Sequence, residues 1–137
     1  MDKVKIDITI LAPVEKVWDY FNAPKHIVKW NFAHESWYCP KSENDLKIGG
    51  KFNNRMEAKD GSFGFDFAGI YDEVDKNERI KYQIEDGREV EVIFEKIDEN
   101  TTKVIQIFDA EKQNSVEMQR EGWYAILNNF HKYVENH

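Results

Sequence analysis

Few residues in this chain combine the types and spacing that chemistry needs. His34 and Glu35 are adjacent, close to Trp37, and an imidazole beside a carboxylate can relay a proton. Neighbouring loop residues rarely converge on one substrate, so the pair reads as exposed polar sequence. Cys39 is the only cysteine; its neighbours Tyr38 and Pro40 supply no base to form a thiolate, so it reads as an ordinary loop or core thiol. His26, His34, His131 and His137 lack any metal-ligand spacing, and there is no cysteine pair. Gly49-Gly50 is not followed by the Lys-Ser/Thr of a phosphate-binding loop. No catalytic residue, metal or cofactor is therefore assigned. If the chain were an enzyme acting on an apolar substrate, of cyclase or hydrolase type, its acid or base would have to come from His34, Glu57 or Asp66.

Aromatic rings are the more informative signal. They make up 14% of the 137 residues, with four Trp and nine Phe. Rings of this number either fill a core or line an apolar pocket. The net charge of −7, without a basic patch, argues against nucleic acid and against an anionic membrane surface. No apolar run approaches the ~20 residues of a membrane span, so membrane insertion is not expected. The start, MDKVKIDITI, lacks the continuous apolar stretch of a signal peptide. A lone cysteine suits a reducing compartment, and the expected location is the cytoplasm.

The elements that would position these rings follow from periodicity. Val4, Ile6, Ile8 and Ile10 alternate with polar residues as in a half-buried strand. Pro13 opens a helix whose apolar face is Val14, Val17, Trp18 and Phe21. A second short helix is expected from Pro24. Residues 29–50 show no clean period and read as a long irregular loop. Strands resume at Phe52 and turn at Asp60-Gly61. They continue through Phe63, Phe65 and Phe67, through Tyr82, through Val90, Val92 and Phe94, and through Val104 to Phe108. Glu89, Glu91 and Glu95 mark a solvated strand face. From about Ser115 the period becomes helical, with Trp123, Ile126, Leu127, Phe130 and Val134 on one stripe that must bury against the sheet. The class is α+β, in one domain over residues 1–137.

Several stretches, in order, resemble a known family. They are Ala12 to Trp18, Lys25 to Trp30, Asp45 to Phe52 with its Gly-Gly, Gly69 to Val74, Asn77 to Ile80, Thr101 to Val104, and Gly122-Trp123 with Leu127, Phe130 and Tyr133 to Glu135. Together these are similar to the activator of Hsp90 ATPase homologue 1-like (AHSA1-like) family of the START-like, or SRPBCC, helix-grip superfamily. The resemblance implies a curved antiparallel sheet of about six strands wrapped around a long C-terminal helix, with two short helices after the first strand. It also implies a cavity between that helix and the sheet.

The residues expected to line such a cavity are Trp30, Phe32, Trp37 and Tyr38 from the irregular segment, Phe52, Met56, Phe63, Phe65, Phe67 and Tyr82 from the strands, and Trp123 and Leu127 from the helix. Asn54, Gln106 and Arg120 are candidate orienting groups. The expected function is that of a binding protein for a small apolar or amphipathic molecule, with residues 29–50 as a mobile lid. A chaperone-type interaction domain is a further alternative. Eukaryotic Hsp90 activators of the family carry an additional domain before the helix-grip domain, whereas this sequence begins at the first strand, so Hsp90 is not expected as a partner. Oligomeric state is not legible.

Overall fold

The computed structural model describes residues 2–137. The elements run β1 (Lys3–Ile10), α1 (Val14–Asn22), α2 (Pro24–Trp30), β2 (Trp37–Asn44), β3 (Lys51–Ala58), β4 (Gly64–Asp75), β5 (Arg79–Ile84), β6 (Glu89–Asp98), β7 (Thr101–Asp109) and α3 (Val116–Asn136). The strands form one antiparallel sheet in the order β1-β7-β6-β5-β4-β3-β2, so consecutive hairpins from β2 to β7 build the sheet and β1 returns to pair with the last strand. The expected α+β helix-grip class holds. The sheet has seven strands rather than about six.

The extra strand is β2, inside the segment read from sequence as an irregular loop. Its residues, Trp-Tyr-Cys-Pro-Lys-Ser-Glu-Asn, show no alternation for a physical reason. The register against β3 shifts between Tyr38 and Lys41, so side-chain parity changes halfway along the strand. Pro40 stands at that shift, where its missing N–H costs no ladder bond, on an edge strand. The segment is tied down by β3 and is not a free lid. Residues 31–36 alone link α2 to β2.

Parity on the other strands places one row inside the curve. Val4, Ile6, Ile8 and Ile10 of β1, Val90, Val92 and Phe94 of β6, and Val104 and Phe108 of β7 are all buried. The central position expected of β7 is observed, between β1 and β6. Helix α3 starts at the N-cap Ser115, whose Oγ accepts from the Met118 amide at 3.1 Å. Its stripe of Leu127, Phe130 and Val134 is buried, and the helix packs along β1 and against α1 and α2. Edge-to-face contacts of Phe130 with Phe21 (5.2 Å) and Trp30 (4.7 Å) lock the three helices together. The Asn129 side chain also donates to the Trp30 carbonyl at 2.7 Å, which fixes the end of α2.

Geometry requires glycine at Gly61 and at Gly69 for different reasons. Gly61 adopts φ +77° in the β3–β4 turn, as the Asp-Gly signal predicted. Gly69 of β4 lies under the Phe52 ring; a Cβ there would sit 2.4 Å from the Gln83 carbonyl oxygen and 2.7 Å from the ring. Gly69→Ala must therefore push backbone and ring apart, and it should lower unfolding free energy by about 1–3 kcal/mol, read as a reduced urea midpoint with an unchanged m-value.

Candidate functional site

Because α3 lies along β1 and the helical layer, β3, β4 and β5 are left without a helix over their inner face. A cavity of about 340 Å³ occupies that space. Phe52 and Met56 of β3, Phe65, Phe67 and Tyr71 of β4, and Ile80 and Tyr82 of β5 form one wall. Phe21, Ile27 and Trp30 from the short helices and Trp123 and Ile126 from α3 form the other. Trp123 bridges the two sides: it stacks on Phe108 at 4.0 Å and meets Phe67 edge-on at 6.1 Å. Phe52 packs edge-to-face on Tyr82 at 4.8 Å. Phe65, 42% exposed, stands where the wall reaches solvent.

Polar side chains, most of them neutral amides and phenols, interrupt the apolar lining. The Tyr71 hydroxyl donates to Asn44 Oδ1 at 2.5 Å, and Asn44 Nδ2 donates to the Asn22 carbonyl at 2.8 Å. Burial pushes the Tyr71 phenol well above its ordinary range, although its bond to Asn44 works the other way. Ser42 donates to Asn54 Oδ1 at 2.6 Å. Arg88 and Glu111 enter from loops; Arg88 Nε is held 2.7 Å from Asp86, and Glu111 accepts from the Asn114 amide at 3.1 Å. Gln119 closes the start of α3 by donating to the carbonyls of Glu111 (3.1 Å) and Asn114 (2.8 Å) while accepting from the Glu111 amide at 2.8 Å.

Of the twelve residues named from sequence, Trp30, Phe52, Met56, Phe65, Phe67, Tyr82 and Trp123 are brought together around the cavity. The other five lie elsewhere. Phe63 has the inward parity of Phe65 and Phe67 but sits on the hairpin tip, 62% exposed. Trp37 packs against Phe63 and Phe65 at 6.0 and 5.9 Å, outside the cavity. Tyr38 faces outward, its hydroxyl 3.3 Å from Glu57. Phe32 packs against the core edge, and Leu127 is fully buried within the core. Among the orienting candidates, Asn54 and Gln106 line the cavity, whereas Arg120 lies near Glu117 (3.9 Å) on the helix surface.

Sequence reasoning missed Tyr71 and Ile80, although the inward parity of Phe67 and Tyr82 would have included both. It had no signal for Asn44, Arg88 or Glu111, which the edge strand and loops supply. The three residues considered for acid–base work do not face the cavity. His34 is exposed and pairs with Ser36 at 2.8 Å; Glu57 and Asp66 pair with Arg55 on the outer face at 3.0 and 3.5 Å. Cys39 is buried, and desolvation raises its thiol pKa. Among the described residues, no group of three or more His, Cys, Asp or Glu is placed to hold a metal ion, and no helix is long and apolar enough to cross a membrane.

A long helix gripped by a curved antiparallel sheet, with an apolar cavity between them, defines a START-like helix-grip protein. The chain belongs to the family described as "Activator of Hsp90 ATPase homolog 1-like protein", whose model matches residues 11–135. It is 41% identical to the AHSA1-like protein of Aeromonas hydrophila, over 97% of this chain and 93% of that one, with a TM-score of 0.88. A protein of Cytophaga hutchinsonii is 48% identical, over 98% and 92% of the two chains, with a TM-score of 0.85. A Chromobacterium violaceum protein shares the fold at 22% identity and a TM-score of 0.86, over 98% and 99% of the chains. No curated protein matches the sequence.

The helical junction that sets Trp30 contains a titratable group. His26 stacks on Tyr20 at 3.9 Å, and its Nδ1 lies 2.8 Å from the Tyr133 hydroxyl. Desolvation lowers its pKa; Asp19, 3.8 Å away, opposes this, while Lys25 and His137 add to it. The unfolded chain therefore takes up this proton first, so the stabilising contribution is present above the ordinary histidine pKa and is lost as pH falls below it. Urea unfolding at pH 7.5 and 5.5 should show a smaller loss of stability in His26→Gln than in the native protein; an equal loss would mean that His26 is not responsible.

Proposed function

We propose that this protein, read as one helix-grip domain over residues 1–137, binds a small apolar or amphipathic molecule in the cavity between α3 and the sheet, and does so in the cytoplasm. The observation that carries this reading is the cavity itself: about 340 Å³ walled in part by seven of the rings and apolar side chains expected from sequence. At ~30 Å³ per water-sized group, that space suits a ligand of on the order of ten non-hydrogen atoms, with more if it projects past Phe65. Burial against rings supplies affinity, and the polar groups among them set orientation. The lone buried thiol suits a reducing compartment. The Hsp90 activity in the family description forms no part of this reading.

Native mass spectrometry of the protein purified from cells, compared with its denatured mass, tests the proposal. An added mass that disappears on denaturation is expected. Phe67→Ala, which removes a ring from the wall without touching the α3 stripe, should weaken ligand binding by about 1–3 kcal/mol while leaving a cooperative melt. Unchanged affinity in that variant would count against this cavity as the binding site.

A further inference from the structure

Resting on the binding reading above, we infer that the cavity recognises an uncharged hydrogen-bond acceptor. The ligand class is then a compact apolar molecule bearing a neutral carbonyl, such as a ketone or ester, with carboxylates disfavoured.

Two side chains in the wall are more than nine-tenths buried, and neither polar end has a hydrogen-bond partner among the described residues. These are Tyr82 on β5 and Gln106 on β7, each 8% exposed. They flank the same strand: Tyr82 is in register with Val90 of β6 and Gln106 with Val92, the next inward residue. Tyr82 packs against Phe52, Phe67 and Tyr71, and its hydroxyl forms no hydrogen bond with the Tyr71 hydroxyl. The contrast with Tyr71 is informative, because that hydroxyl is already satisfied by Asn44. Both Tyr82 and Gln106 line a cavity that opens beside Phe65, so water can meet them in the empty protein, and a ligand that fills the cavity must replace that partner.

Three groups offer donors, beside the acceptor oxygen of Gln106. Burial raises the Tyr82 phenol far above neutral pH, which keeps its O–H in place as a donor. Gln106 carries two N–H donors, and Asn54 Oδ1 already accepts from Ser42, leaving its amide NH₂ to donate. None of these groups is charged. The one cation in the lining, Arg88, is engaged by Asp86, and the carboxylate of Glu111 stands in the same wall. A carboxylate entering this cavity would lose its hydration, meet the Glu111 carboxylate and have to share Arg88 with Asp86, whereas a carbonyl oxygen loses little and gains donors.

Three probes of one shape test the inference: 2-acetylnaphthalene, 2-ethylnaphthalene and 2-naphthoate, titrated into the full chain and followed by amide chemical shifts. The ketone is expected to bind about tenfold more tightly than the hydrocarbon, as one or two net hydrogen bonds allow, and at least about tenfold more tightly than the carboxylate. In Tyr82→Phe and Gln106→Leu the ketone's advantage should shrink while hydrocarbon binding persists. As a measurement independent of variants, the carbonyl stretch of the bound ketone should move to lower frequency in the native protein. Equal binding of ketone and hydrocarbon, or naphthoate binding as tightly as the ketone, would overturn the acceptor inference and leave the binding reading standing. Failure of all three probes to bind would overturn both.

Discussion

A straight helix can follow a twisted, curved sheet along only part of its length, and where α3 makes that contact determines the rest of the molecule. Its stripe of Leu127, Phe130 and Val134 is committed to β1 and to the two short helices. The inner face of β3 to β5 is consequently left facing the helix across a gap. Trp123 reaches over that gap, stacked on Phe108 at one side and set edge-on to Phe67 at the other. The cavity is thus a product of where the helix is anchored rather than of missing side-chain volume.

Such an arrangement gives up apolar contact on one flank of α3, and side-chain bonds to backbone hold the helix instead. Gln119 ties its first turn to the loop after β7, Asn129 holds the end of α2, and Glu135 accepts the Leu11 amide at 2.9 Å beyond β1. These bonds occur near the start, middle and end of the helix. Together they fix the separation between α3 and the sheet, and hence the width of the cavity, without filling it.

Much of this was legible in sequence because strand and helix periods are strict. Alternation through Phe65 and Phe67 gave the sheet side of the cavity, and the helical period from Trp123 to Val134 gave the element opposite, of whose two named residues only Trp123 lines it. The failures have local causes. The register shift at Tyr38–Lys41 erased the alternation of β2 and hid a strand, and with it Asn44. Parity alone could not say where the helix stops covering the sheet, so Phe63 was included although it stands on the hairpin tip. Leu127 was included as a member of the stripe, yet rotation about the helix axis turns it into the core and leaves its neighbour Ile126 at the cavity. Arg88 and Glu111 come from turns, where no period exists to be read.

The irregularity of β2 has a bearing on colloidal behaviour. An open sheet ends in two rows of main-chain groups that another polypeptide could extend into a growing ladder, and the β2 row lies next to the exposed Phe63 and Phe65 rings. Pro40 removes one donor from that row, the register shift bends it, and the Lys41–Glu43 ion pair at 2.9 Å places charge along it. The molecule can therefore carry surface rings beside an open border without that border serving as a template for aggregation.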